Sequence, residues 1–222
     1  MKKIIALSLF AVAVSASQAD PIVNQMDYDV NLGYWSTANA GAFSNYSSYE
    51  NFTIGTQTTV TDILWAGMTE NWGTGILADN VSGFRVMITG DSAGVPGSVV
   101  YDTTFALGAT NSVNVGPGYA TPSQAYTHSV GGLNIDLAAG DYWLHVGAVY
   151  ILPGETQWAW MATASVYDGE SISYDHTNLA FLAPNPNDLA FGINGQPVPE
   201  PATMLVLGAG AAAIAARRRR NK

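Results

Sequence analysis

A chain of 222 residues with no cysteine and a net charge of −9 excludes a disulfide-stapled fold. The acidity also argues against nucleic-acid partners, whose phosphates such a surface repels. Of its eight Lys/Arg, Lys2, Lys3, Arg217, Arg218, Arg219, Arg220 and Lys222 stand at the two ends, leaving Arg85 as the internal cation. The ends therefore read as addresses around an acidic middle.

The first address is N-terminal. Lys2 and Lys3 precede an apolar run over 4–14 broken by Ser8, and Ser17, Gln18 and Ala19 supply small residues ahead of Asp20. This pattern predicts a secretory signal peptide over 1–19, cut before Asp20 by signal peptidase. The run has no polar stripe of the kind an amphipathic first helix would carry. An exported domain without cysteine must take its stability from its core.

Removing both ends leaves roughly 180 residues, enough for one domain with a sizeable core. Gly, Thr, Ser, Asn, Val, Tyr and Trp dominate it, a composition suited to strands rather than to helix surfaces. Residues 20–48 read as an N-terminal lead-in or cap. From there short runs bounded by turn residues follow: 49–54, 59–66, 84–89, 98–101, 142–146, a long candidate over 157–167, and 189–193. In the third, Phe84, Val86 and Ile88 fall on one face and Arg85, Met87 and Thr89 on the other. Many short strands without crossover helices predict an all-β domain over 49–196, an antiparallel β-sandwich or jelly roll.

The aromatic residues are the leading candidate for a binding surface. Trp158 and Trp160 lie two apart and share one face of a strand. Facing solvent, they would form a flat platform for stacking on sugar rings; facing inward, they would fill the core with large apolar area. Alternation does not choose, because Ala159, Met161 and Thr163 on the other face are also fairly apolar. Trp143 lies opposite Tyr142, Leu144 and Val146.

Charged candidates are sparser. Asp91 opens a turn-rich loop over 90–97 that would either place oxygens round a Ca²⁺ ion or use the carboxylate to cap the turn. Asp168, Glu170 and Asp175 add further carboxylates, and Glu155, Glu170 and Asp168 are the candidates for a hydrolytic pair. The histidines His128, His145 and His176 have no metal-ligand spacing. No nucleophile elbow, cysteine nucleophile or phosphate loop is present in the sequence. The expectation is a protein that is not an enzyme and needs no cofactor or metal.

At the other end, Val198, Pro199, Glu200 and Pro201 lead into an alanine-rich apolar run over 204–216 and then Arg217, Arg218, Arg219 and Arg220. The run gives about 20 Å of helix, against roughly 30 Å of hydrocarbon to be crossed. Arginine snorkelling and residues 201–203 would extend its reach, with the arginines on the cytoplasmic side. This motif, helix and basic tail resemble the PEP-CTERM sorting domain, also called an ice-binding-protein C-terminal domain. The resemblance implies a substrate of a membrane exosortase in an exopolysaccharide or biofilm system. Pro199, Glu200 and Pro201 match its recognition motif, and the arginines match its anchor flank. It does not bear on ice binding or on any activity of the preceding domain.

A second resemblance covers about residues 49–195. The segments 51–54, 60–65, 84–88 with 91–97, 140–144, 158–160 and 188–191 look like a β-rich ectodomain that recurs ahead of such tags. Where that family often has a second aromatic after the first sheet tryptophan, this chain has Ala66. The family carries no catalytic residues to transfer.

Together these readings predict a signal helix at 1–19, a lead-in at 20–48, a sandwich at 49–196, and a sorting signal with a short hydrophobic transmembrane helix at 197–222. The expected protein is exported, held briefly in the inner membrane, and passed to the cell envelope or extracellular matrix. Its role would be structural, adhesive or polysaccharide-binding, with a secreted glycan-active hydrolase as the alternative.

Overall fold

A computed structural model describes residues 20–38, 46–70, 76–119, 122–151 and 157–198, together with Arg217 and Arg219. In chain order the strands are β1 (Asp20–Gln25), β2 (Tyr28–Trp35), β3 (Tyr46–Ile54), β4 (Thr58–Glu70), β5 (Val81–Asp91), β6 (Pro96–Ala106) and β7 (Asn111–Pro117). They continue as β8 (Gln124–Leu137), β9 (Gly140–Tyr150), β10 (Gln157–Thr163), β11 (Ile172–Asp175), β12 (Ala180–Phe181) and β13 (Phe191–Pro197).

Two antiparallel sheets stack face to face, as expected from a strand-rich sequence whose apolar residues must be covered on at least one side. The second sheet runs β12-β11-β3-β9-β5-β6. In the first, β7 and β8 lie on one side of the long central β4. On its other side β4 is shared, pairing β13 through its first half and β10 through its second. Beyond these lie β1, paired with β13, and β2, paired with β10. Residues 20–35, expected as a lead-in or cap, thus supply two strands of the first sheet.

The core forms where the inner faces meet. Phe84, Val86 and Ile88 of β5 point inward, as their alternation predicts, beside Leu144 and Val146 of β9 and Phe52 and Ile54 of β3. Trp65, Phe191 and Ile193 answer them from the first sheet. Trp143 points to the opposite face of the second sheet, where it joins Tyr49, Met87 and Ile172 in a separate buried cluster.

Trp158 and Trp160 are both 0% exposed and belong to the main core. Trp158 meets Phe84 edge-on at 5.1 Å between ring centroids, and Trp160 meets Phe191 at 6.4 Å. Trp160 Nε1 donates to the Ala190 carbonyl at 2.9 Å. The Trp158 indole lies directly over Gly67, where a Cβ would come within 2.1 Å of its ring. A glycan platform made of these two rings is therefore excluded, because neither presents a face to solvent. The other face of β10 is enclosed as well: Ala159 and Met161 pack with Ala66, Met68, Ala125 and Ala190. A strand covered on both sides shows no apolar-polar alternation, which is why its pattern does not orient it.

Two terminal helices are expected outside the sandwich, and this is corrected. Among the described residues within 20–198 the helical elements are the four-residue turn Leu77–Asn80 and the 3₁₀ turn Leu107–Ala109. No helix there is long and apolar enough to cross a membrane, so the predicted transmembrane helix is withdrawn. The physical weakness lies in its length, since the apolar run over 204–216 supplies about 20 Å against the roughly 30 Å of a bilayer core. The segments 1–19 and 199–216 themselves lie outside the described residues.

Candidate functional site

The segment 164–190 contributes residues to two concavities. One is polar, about 360 Å³, and lies on the outer face of the second sheet. The other is mainly apolar, about 310 Å³, and lies where β2 meets β3 and β11.

Outward residues of β3 and β9 build the polar pocket. Asn51, Thr53, Asp141 and Trp143 line it, and Asp91, Asp168 and Glu170 close its rim. Most of these groups already have partners. Thr53 Oγ1 donates to Asp141 at 2.7 Å, Asn51 Nδ2 donates to Glu170 at 3.1 Å, and Trp143 Nε1 donates to Asp91 Oδ1 at 2.8 Å. Asp91 also accepts from the Gly94 amide at 3.2 Å, in a loop where Ala93 and Gly94 adopt positive φ. The aspartate thus caps the turn, using on its own backbone the oxygens a calcium ion would need.

Through Asp168 the rim adjoins a group of three carboxyls, with oxygens of Asp168 and the buried Glu50 and Asp188 within 4.8 Å of one another. Glu50 points inward because it shares a face of β3 with Phe52 and Ile54. Its Oε1 accepts from Gln25 Nε2 at 3.1 Å and its Oε2 from the Leu189 amide at 2.7 Å. Asp188 accepts from the amides of Tyr167, Asp168 and Gly169 at 2.5, 3.2 and 2.7 Å.

Their titration diverges accordingly. Burial pushes the Glu50 carboxyl well above the usual range. Burial, with a hydrogen bond to Asp188 and its charge, raises Asp168 to about 6. Burial also opposes ionisation of Asp188, but the surrounding N–H donors and Asp168 outweigh it and hold that carboxyl below the usual range. Protonation in this trio is therefore favoured on Glu50 and Asp168 and disfavoured on Asp188. A cation would have to displace both the protons and these amide donors before gaining the six to eight oxygens calcium prefers.

The histidines do not converge on a metal. His128 sits in the core against Trp65 and Phe84, its Nδ1 2.8 Å from Ser112 Oγ. His145 Nδ1 lies 3.0 Å from the Ser48 carbonyl, and His176 Nε2 2.7 Å from Ser47 Oγ. Burial lowers His128 to about 3 and His145 to about 4. Asp175 accepts from the Thr177 and Asn178 amides at 2.7 and 3.3 Å, in a local turn. Glu155, Pro199, Glu200, Pro201, Arg218 and Arg220 lie outside the described residues; Arg217 and Arg219 are exposed.

The apolar groove is what sequence reasoning misses. Trp35, at the end of β2, is 41% exposed, and its indole lies 6.5 Å from the Tyr46 ring. Tyr34, Gly33 and Leu182 continue the lining, with Ser173 and Asn185 as polar members. The Asn187 side-chain amide donates to Tyr34 Oη at 3.0 Å and fixes that ring from behind. The adjacent Tyr34 and Trp35 are the available signal. They become legible as a site only when β2 is placed at a sheet edge beside β3.

Comparison with known proteins bears on the C-terminus. The PEP-CTERM protein-sorting motif matches residues 197–220. No curated protein and no solved structure matches the chain. The fold and this match together define a two-sheet β-sandwich protein that carries a C-terminal PEP-CTERM sorting motif, consistent with export as an exosortase substrate. The match ends at the sorting segment and carries nothing about the sandwich ahead of it.

Proposed function

We propose that this exported sandwich is a non-enzymatic protein of the cell envelope or extracellular matrix that holds polysaccharide in the groove of Trp35, Tyr34 and Tyr46. The observation that supports this reading is the exposed Trp35 indole on an apolar groove that also contains Ser173 and Asn185. Sugars pair a weakly polar ring face with a rim of hydroxyls, so an aromatic floor with a few hydrogen-bonding side chains suits them. The chain's acidity favours neutral or basic glycans over anionic ones.

Affinity electrophoresis through neutral exopolysaccharide tests the groove. Trp35→Ala is expected to lose most of the retention while the melting temperature stays within a few degrees, because a partly exposed ring contributes little core packing. Retention equal to wild type would remove the reading.

Sorting has its own test. Protein recovered from the surface of its host is expected to lack residues 217–222, having been cut near Pro199, Glu200 and Pro201. Intact mass decides this, and a mass that retains the arginines would refute processing.

The hydrolase alternative rests on Glu155, Glu170 and Asp168. It would need one carboxyl kept protonated as general acid, as Asp168 is raised to be, facing a second that is ionised and free to act across a glycosidic bond. Asp188 is held by three backbone amides and Glu50 is driven toward its neutral form. A binding role is therefore preferred.

A further inference from the structure

One flank of the sandwich is built differently from the rest of this acidic molecule. Strand β6 ends the second sheet and β7 ends the first, and the 3₁₀ turn Leu107–Ala109 joins them, so the two free edges run side by side. Among the described residues neither outer edge has a strand partner. An edge strand presents alternate backbone donors and acceptors outward, and proteins ordinarily guard such edges with charge, proline or bulges.

Here the guard is thin. From 92 to 135, a stretch that contains β6, β7 and most of β8, the sequence has no Lys, Arg or Glu and a single aspartate, Asp102. That aspartate is neutralised within the chain, accepting from Arg85 Nε at 2.8 Å and from its terminal nitrogen at 2.6 Å. Bulges interrupt β6 near Val100 and β7 near Gly116, but β6 stays in regular register with β5 from Tyr101 to Ala106. Valines are exposed along both edges: Val99 at 57%, Val100 at 47%, Val113 at 49% and Val115 at 41%. On the opposite flank the edge strands β1 and β2 include Asp20 and Asp29, and β12 is two residues long.

From this we infer that the β6–β7 flank is a self-association surface whose occupant is a second copy of this chain. A two-fold axis between the copies sets β6 antiparallel to its counterpart and β7 antiparallel to its own, extending both sheets at once. The choice of a second copy follows from charge. Two molecules of net charge −9 repel through most of their surfaces, and this flank lets them approach without opposing like charges. Salt should accordingly strengthen association, since it screens the repelling bodies while the contact itself has no ion pairs across it to weaken.

Sedimentation equilibrium of the full chain, at rising protein concentration and at two salt concentrations, tests the inference. A reversible dimer that tightens with salt is expected. Thr104→Lys on β6 and Val113→Lys on β7, both at exposed positions, should each weaken it about tenfold or more. Each lysine reduces the net negative charge, so weakening would reflect the edge and not general repulsion. Val166→Lys, at a valine 66% exposed elsewhere, serves as the control and should leave the dimer intact. Far-UV circular dichroism confirms that each variant is folded, and the second edge variant carries the test if the first is not. A monomer throughout the soluble range, or a dimer unmoved by both edge lysines, would overturn the assignment.

Discussion

Replacing Trp158 or Trp160 by alanine is expected to lower the unfolding free energy by roughly 3–5 kcal/mol, through lost apolar burial and the cavity left behind. For a domain whose whole stability is about 5–15 kcal/mol, that is a loss of roughly a fifth or more, visible as a sharp fall in melting temperature. The two rings occupy the seam between the sheets: Trp158 touches Phe84 of the second sheet, whereas Trp160 packs on Phe191 of the first. Phenylalanine substitutions should separate them further. Trp160→Phe also removes the hydrogen bond to the Ala190 carbonyl. Trp158→Phe removes an indole N–H with no partner among the described residues, so its cost should be smaller. Chemical denaturation of the four variants measures this, and alanine variants that melt like wild type would contradict the burial of these rings.

Rising pH above the ordinary carboxylate range is expected to destabilise the fold through Glu50. Its carboxyl is raised in the folded state, so the folded protein holds a proton that the unfolded chain has already released. The stabilisation is complete below the ordinary carboxylate range and fades as pH rises through the folded value. Histidines act in the opposite sense. His128 and His145, lowered to about 3 and about 4, cost stability as pH falls below 6.5, because only the unfolded chain then takes up their protons. Above pH 7 they are neutral in both states, and Asp168, raised to about 6, has largely ionised.

Glu50 therefore contributes a falling slope from the ordinary carboxylate range up to its raised folded value, with an upper limit of about 1.4 kcal/mol per pH unit. Glu50→Gln keeps an oxygen to accept from the Leu189 amide and removes the titration. It should make stability fall less steeply with rising pH above the ordinary carboxylate range and leave the profile below that range unchanged. Thermal melts across pH 4–9 check both arms. An equal downward slope in the variant would show that another group carries it.

Some inward positions are legible in the amino-acid pattern and others are not, for a common reason. Phe84, Val86 and Ile88 can be assigned to one face because the opposite side of β5 carries Arg85 and Thr89, which makes the alternation visible. In β10 both faces are buried, so Trp158 and Trp160 cannot be oriented from their neighbours. Strand β8 escapes the pattern altogether. Gly131 and Gly132, the latter at positive φ, interrupt it where it bulges against β4. The apolar run of β10 continues to 167, yet the strand ends at Thr163, where Ala164 N donates to the Asp27 carbonyl.

The sequence by itself determined the strand-rich class, the acidic middle and the sorting motif, since composition and short contiguous patterns carry those. Tertiary structure alone decided what lies inside. Burial of Trp158, the meeting of Glu50 with Asp168 and Asp188, and the groove of Trp35 and Tyr46 all depend on strands distant in the chain becoming neighbours. A residue's own side-chain chemistry does not specify that neighbour. The pairing of whole strands does, because a strand must satisfy its backbone hydrogen bonds and cover its apolar face at the same time.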